Sequence, residues 1–292
     1  MMLRGLIIPA EGHEFIISDY AAIEARVLAW YAGQEDILQL YREGGDVYKE
    51  MASAVYGKPL AQINDGERFV GKTLVLGSGY GLGWVRLQMD LNAKQVPTSE
   101  EEARQYTAGY RRRFSKVTIW WQTIIGLFRW VLDGNDPALN SAGRKRQPLR
   151  GGMTFGLEGK NDVYIELGTG NRIWYRDCKV EIKPAPWNID EEIEVITARN
   201  TNSDSSRYDV THSILAENIC SATAREIMSR GMLRCEQAGY PVILSVHDEV
   251  VLEVEKGYGS LDDVDTLLCQ PLFFCEDLPL ATESIRSPRY RK

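Results

Sequence analysis

The 292-residue chain lacks any CxxC pair, and its five cysteines and three histidines are scattered without metal-ligand spacing. That pattern argues against a zinc site and against a disulfide scaffold. The thiols read as reduced, buried filler in a cytoplasmic protein. No uninterrupted apolar run reaches bilayer-spanning length, since the most apolar stretch, near Val117 to Leu132, is broken by Gln122, Gly126 and Arg129. No signal peptide is expected ahead of the fold, and neither an internal repeat nor a low-complexity tract is present. Positive charge is also in deficit, with a net charge of −7. A chain of this sign that holds a polyanion must gather its basic residues on one surface. Three patches qualify: Arg111 to Arg113, then Arg144, Lys145 and Arg146 with Arg150, and the tail from Arg286 to Lys292. The middle patch lies in NSAGRKRQPLRGG, whose glycines and prolines predict an exposed loop. Each patch also has the plainer reading of a solvated face or a loose end.

What is present begins with ERFVGKTLVLGSGYG, where Arg68, Lys72, Leu76 and Tyr80 recur at four-residue intervals. In a helix this spacing stacks two cations and an aromatic ring along one side. Two permanent charges one turn apart suit adjacent phosphoryl groups, and the apolar rungs beyond suit a sugar or base. An Arg-x3-Lys pair alone is ordinary helix surface. Gly71, Gly77, Gly79 and Gly81 add weight, because each weakens a helix by roughly 1 kcal/mol and predicts close approach of a ligand or backbone. Two acidic sites bracket the ladder. In FIISDYAAIEAR a strand-like run ends at Asp19 and passes into a helical pattern near Ile23. In PVILSVHDEVVLEV two β-rich runs flank His247, Asp248 and Glu249, predicting a hairpin whose turn presents acids. Hairpin turns favour Asp for backbone reasons alone. Two carboxylates on two strands can, however, hold a pair of divalent cations roughly 4 Å apart.

These residues resemble a known family. DYAAIEARVLAW is similar to motif A of family A DNA polymerases, Arg68-x3-Lys72-x3-Leu76-x3-Tyr80-Gly81 to motif B, and VHDE to motif C, all in the family's order. EEARQYTAGYRRRF with IWW resembles a fingers segment of phage members, as do LAENICSATAREIM and LPLATESIRSPRYRK, so the resemblance runs from about Leu3 to the C-terminus. It implies an α+β right-hand polymerase fold, an antiparallel palm sheet with a mainly helical fingers lobe inserted. It implies template-directed DNA synthesis with two Mg²⁺ ions, on primer-template DNA and dNTPs. Asp19, Asp248 and the backbone carbonyl of Tyr20 would ligate metal, with Tyr20 also at the nucleotide site. Glu24 would exclude a ribose 2′-OH. Arg68 and Lys72 would bind triphosphate, Lys72 also passing a proton to pyrophosphate, while Leu76 packs on the sugar and Tyr80 stacks near the templating pair. His247 and Glu249 would position the primer end. Ser221 falls where relatives have a Gln that reaches the minor groove, and Arg144, Lys145 and Arg146 would touch DNA. Ala21 and Ala22 replace Ser and Gln of many relatives, and Leu76 replaces Phe or Tyr.

The expected organisation is a first palm segment over residues 1–30, fingers over 31–207 and a second palm segment over 208–292. A helix is expected after Thr98 or Ser99 as N-cap, a hairpin within Asp162 to Ile182 turning at Gly168 to Gly170, an irregular or mobile stretch from Pro184 to Arg207, and a terminal helix over Leu261 to Cys269. Trp120, Trp121 and Trp130 read as packing residues. The leader MMLRGLIIPAEGHEF leaves about eighteen residues before motif A. The expectation drawn from it is a split phage enzyme with a thumb or exonuclease on a separate chain, working in the host cytoplasm. Two alternatives stand beside this reading. A catalytically silent DNA-binding subunit would bind without extending, and a single-subunit RNA polymerase would prefer rNTPs.

Overall fold

The computed structural model describes residues 4–186, 188–201 and 206–291. Met1, Met2 and Leu3 of the leader and Lys292 of the basic tail lie outside the described residues, as do Trp187 and residues 202–205 of the stretch read as irregular. The chain opens with β1 (His13–Tyr20) and α1 (Ile23–Ala32), followed by α2 (Glu35–Arg42), α3 (Val47–Tyr56), α4 (Asp65–Thr73), α5 (Trp84–Ala93), α6 (Glu100–Arg113) and α7 (Ser115–Leu132). Six strands follow: β2 (Thr154–Glu158), β3 (Asp162–Glu166), β4 (Arg172–Tyr175), β5 (Lys179–Ala185), β6 (Asn188–Arg199) and β7 (Arg207–Asp209). The long α8 (His212–Gln237), the pair β8 (Val242–Val246) and β9 (Glu249–Glu255), α9 (Leu261–Cys269) and β10 (Thr282–Ser287) complete it. Contacts divide the chain into residues 1–27 with 221–292 and residues 28–220. The divisions fall inside α1 and α8, beside the expected boundaries after residues 30 and 207, and residues 208–220 cluster with the second unit.

The first unit is built on a four-stranded antiparallel sheet in the order β10-β1-β9-β8. Phe15 and Ile17 of β1 pack with Val251 of β9, Tyr290 and Leu244 on one face. On the other, Tyr20 is fully buried and its hydroxyl donates to the Leu268 carbonyl of α9 at 2.7 Å. Gly231 of α8 lies so close that a Cβ there would sit 2.7 Å from that hydroxyl, so the helix can approach only without a side chain. β10, within LPLATESIRSPRYRK, was not anticipated as a strand. Its apolar Ile285 is 42% exposed and its neighbours are charged or hydroxylic, which hides the strand from a hydrophobicity reading.

Buried phenols give this fold an alkaline limit. Burial, then the hydrogen bond to Glu249 and its charge, push the Tyr290 hydroxyl up to about 12. Burial likewise raises Tyr20, Tyr110 and Tyr175. A phenol whose folded pKa exceeds its unfolded value near 10 keeps its full stabilisation below about pH 10 and loses it as pH rises through the folded pKa. Burial also raises the Cys178, Cys235 and Cys275 thiols to about 11, so thermal melts between pH 8 and 12 should show a Tm that begins to fall near pH 9 and declines steeply above about pH 10. A Tm that held steady to pH 12 would contradict the buried phenols.

In the second unit α6 begins at Ser99, which accepts from the Glu102 amide while Glu102 reaches back to the Ser99 amide, a capping box that settles the N-cap in favour of Ser99 over Thr98. Trp120 and Trp121 are buried, as packing residues should be. The hairpin expected within Asp162 to Ile182 forms from β3 and β4, with the Gly170 amide bonded to Leu167 in the turn. The stretch from Pro184 to Arg207 is not irregular in its described part. It carries most of a three-stranded antiparallel sheet, β5-β6-β7, in addition to the sheet β2-β3-β4. Its run of acids, Asp190 to Glu194, masks the strand because the side chains face water while β6 is held by its two neighbours. Arg113 is also not free patch charge. It bridges Asp36 and Glu50 in a partly buried network.

Candidate active site

In the first unit, strand pairing brings the predicted acids together. β1 and β9 run antiparallel with Asp19 opposite Glu249, and the Tyr20 amide donates to the Asp248 carbonyl at 3.0 Å. Asp19 and Asp248 therefore sit on neighbouring strand ends, both partly exposed. His247 occupies the β8–β9 turn at φ 55°, a left-handed conformation that favours glycine or asparagine. A histidine there costs of order 1 kcal/mol, and its side chain is exposed. Glu249 is placed differently. It is 1% exposed, accepts a hydrogen bond from the Tyr290 hydroxyl and lies 4.0 Å from Arg4. Its carboxylate is directed into the sheet packing, away from the cavity beside Asp248.

That cavity, of about 420 Å³, is lined by Tyr20, Ile23, Glu24, Ser221, Ala224, Arg225, Met228, His247 and Asp248. Glu24 lies in the first turn of α1, where the helix dipole favours a carboxylate. The Ser221 hydroxyl of α8 donates to Glu24 Oε1 at 2.6 Å. Sequence reasoning missed Arg225 and Met228. Their spacing from Ser221 and Ala224, one turn further along α8, is the signal that could have found them. It also missed Arg26, which is buried and donates to the carbonyls of Ala21 at 2.7 Å and Pro279 at 3.0 Å. Arg26 thereby pins the chain where Ala22 takes φ 54° between β1 and α1.

In the second unit α4 starts at Asn64 with a capping box to Glu67 and carries Arg68 and Lys72. Both cations lie over the ring of Tyr48, at 5.2 and 5.7 Å from its centroid. Arg68 Nε also donates to Asp46 Oδ2 at 2.6 Å, and Asp46 caps α3 through the amides of Tyr48 and Lys49. Burial alone would raise the Asp46 carboxyl, but the Arg68 and backbone hydrogen bonds outweigh it and hold it below the usual range. The predicted ladder does not continue as one α-helix. After Thr73 the chain widens into a π-helical turn, Leu74–Ser78, and Tyr80 lies in the turn beyond it. Leu76 is 41% exposed. The four-residue register is thus lost between Lys72 and Tyr80, because a π turn takes more residues per revolution.

The glycines have packing reasons. A Cβ on Gly71 would meet the Tyr48 carbonyl at 2.1 Å, and one on Gly79 the Leu28 side chain at 2.8 Å. Gly81 takes φ 77° and abuts His212 and Ser213. Trp121 Nε1 donates to the Gly79 carbonyl at 3.1 Å, and its ring lies 5.3 Å from that of His212. His212, not singled out from sequence, is thus part of the support for the Gly79–Gly81 turn, and burial together with the Arg111 charge lowers its pKa. Of the middle basic patch, Arg144 and Lys145 are exposed, while Arg146 lies over the Trp130 ring at 5.3 Å and donates to the Leu139 carbonyl. Among the described residues no group of three or more His, Cys, Asp or Glu side chains is arranged to hold a metal, and no helix is long and apolar enough to cross a membrane.

A family model described as DNA polymerase family A matches residues 1–130. The DNA polymerase of Bacillus phage SP02 is 30% identical over 295 aligned residues, covering all of this chain and 43% of the phage protein. The thermostable DNA polymerase I of Thermus aquaticus is 26% identical over 259, covering 87% of this chain and 24% of its own length. Among solved structures, the POL domain of Pol1 from M. smegmatis, in complex with DNA primer-template and dNTP, superposes with a TM-score of 0.65 at 20% identity. That superposition covers 99% of this chain and 42% of the other. The chain thus spans less than half the length of the relatives it matches. With all three motifs in order, a mixed helical and antiparallel fold like that POL domain, and a phage DNA polymerase aligned along its whole length, the chain is similar to a portion of the polymerase domain of DNA polymerase family A.

Proposed function

We propose that this chain carries out template-directed DNA synthesis, joining dNMP from dNTP to a primer 3′-OH, with residues 1–27 and 221–292 as palm and 28–220 as fingers. The observation that carries the proposal is the Tyr20–Asp248 backbone hydrogen bond, which ties together the neighbouring strand ends that bear Asp19 and Asp248, the latter lining an open cavity. Oxygen donors of this kind fit Mg²⁺, which is held by one or two carboxylates and completes its shell with substrate phosphates rather than in an all-protein cage. Asp19, Asp248 and the Tyr20 carbonyl would hold the two ions, which when bound lower the pKa of the attacking hydroxyl and offset charge on the leaving pyrophosphate.

The chain's own residues do the rest. Arg68, fixed by Asp46, presents a planar donor to the triphosphate, and Lys72 adds a second charge one turn on. Lys72 Nζ is the group that would pass a proton to the departing pyrophosphate oxygen. Glu24 walls the sugar side of the cavity against a 2′-hydroxyl. His247 stands exposed at the turn for the primer end, while Glu249, bound to Tyr290, holds β9 in register beneath it. Leu76 and Tyr80 would meet the incoming nucleotide and the templating pair, and Arg144 and Lys145 the DNA backbone. The test is a labelled primer on a longer template with Mg²⁺ and dNTPs. Extension should follow the template, halting one position short when a single dNTP is withheld. Duplex binding without any product would overturn the reading and leave a DNA-binding subunit.

A further inference from the structure

The Ser221–Glu24 hydrogen bond joins two helices at the wall of the cavity, and nothing in the motif pattern predicts it. A glutamate has three rotatable bonds, and a carboxylate that must act as a wall loses its effect if it can swing aside. At 2.6 Å the Ser221 hydroxyl makes a short, charge-assisted bond to Glu24 Oε1. The two residues lie 197 positions apart in sequence, on α8 and α1, and both line the same 420 Å³ cavity as Asp248. Ile23, Ala224 and Met228 supply the apolar part of the lining, and Arg225, His247 and Asp248 add further polar groups to the same cavity. The donated proton also occupies part of the acceptor capacity of Oε1, leaving the carboxylate less able to accept a hydrogen bond from a 2′-hydroxyl.

From this geometry we infer that Ser221 is a positioning residue for sugar selection, fixing the Glu24 carboxylate so that the cavity takes a deoxyribonucleotide in preference to a ribonucleotide. The inference rests on the DNA-synthesis reading for the identity of the ligand, but its test does not need the chemical step. The protein, bound to a primer-template whose primer ends in a dideoxynucleotide, is titrated with the matching dNTP and rNTP, and the ratio of the two Kd values is read by calorimetry. Ser221→Ala should shrink that ratio by about tenfold, the scale of one lost hydrogen bond to a charged group. Ser221→Thr, which keeps the hydroxyl, should retain it. In a Glu24→Ala background, Ser221→Ala should change the ratio no further, because the two residues act as one unit.

An unchanged ratio in Ser221→Ala, a full additional loss in the double variant, or a parent chain without any preference would each overturn the inference. Thermal melts of the same preparations separate a folding defect, since a lower Tm with an intact ratio counts against positioning. Primer extension run alongside distinguishes the two readings. A Ser221-dependent ratio without extension would remove DNA synthesis and leave the pair standing, whereas extension with a Ser221-independent ratio would remove the pair alone.

Discussion

Asp248→Asn is expected to lower primer extension by about three orders of magnitude or more while leaving duplex binding within a few fold. The substitution keeps the side-chain size and leaves the Asp248 carbonyl free to accept from the Tyr20 amide, so the β8–β9 turn and the β1 edge should hold their geometry. What is lost is one negative oxygen from a donor set that has few to spare. A surface change of this kind outside the packed core moves stability by about half a kcal/mol or less, so melts should nearly coincide. Loss of extension with an unchanged Tm would separate chemistry from folding. Near-normal extension would remove Asp248 from the metal site.

Gly71→Ala is expected to produce the largest effect on stability. The new methyl would sit 2.1 Å from the Tyr48 carbonyl and 3.1 Å from the Ala52 amide nitrogen, both backbone atoms of α3. No flexible side chain is available to yield, so α3 and α4 must separate. Overpacking of this kind costs about 1–3 kcal/mol and occasionally more, against a gain of about 1 kcal/mol from replacing a helical glycine. The control is Gly126→Ala in α7, where a Cβ meets nothing within 4 Å and the same helix gain is unopposed. Denaturant melts should therefore shift in opposite directions for the two variants. Since Tyr48 carries Arg68 and Lys72 against its ring, Gly71→Ala should also weaken triphosphate binding, while Gly126→Ala should not. Shifts in the same direction would sink the packing account.

How much was legible in the sequence follows the physics of each element. β1 and β9 were readable because buried strands concentrate Ile, Val and Phe, β8 because its Val and Ile are β-formers even though none is buried, and the acids near the strand ends interrupt the pattern abruptly. α9 and the Ser99 cap were readable from local chemistry alone. β10 and β6 were not, since their exposed faces carry charge; β10 takes its strand character from β1, far away in sequence, and β6 from its neighbours β5 and β7. The π turn was hidden for a related reason. Arg68, Lys72, Leu76 and Tyr80 keep their spacing on paper, and only the close contacts of Gly77 and Gly79 reveal that the backbone departs from it. At the candidate site, the acids and cations were visible as motifs. The bonds that orient them, Ser221 to Glu24 and Arg26 to the Ala21 and Pro279 carbonyls, join segments far apart in sequence or run to backbone, and no motif records them.

The placement of β1 at the centre of its sheet has a kinetic consequence. Its two neighbours, β9 and β10, are made only after the intervening residues 28–220 have left the ribosome. At about 5–20 residues per second that is a wait of roughly ten to forty seconds, during which Phe15, Ile16 and Ile17 have no strand to pair with. The sheet is dominated by contacts of very large sequence separation, the class that closes slowly because loop entropy is lost before pairing is gained. The helical residues that follow can form locally in that interval. Asp19 is therefore expected to meet Asp248 late, after the helices that carry Arg68 and Lys72 have had the chance to form.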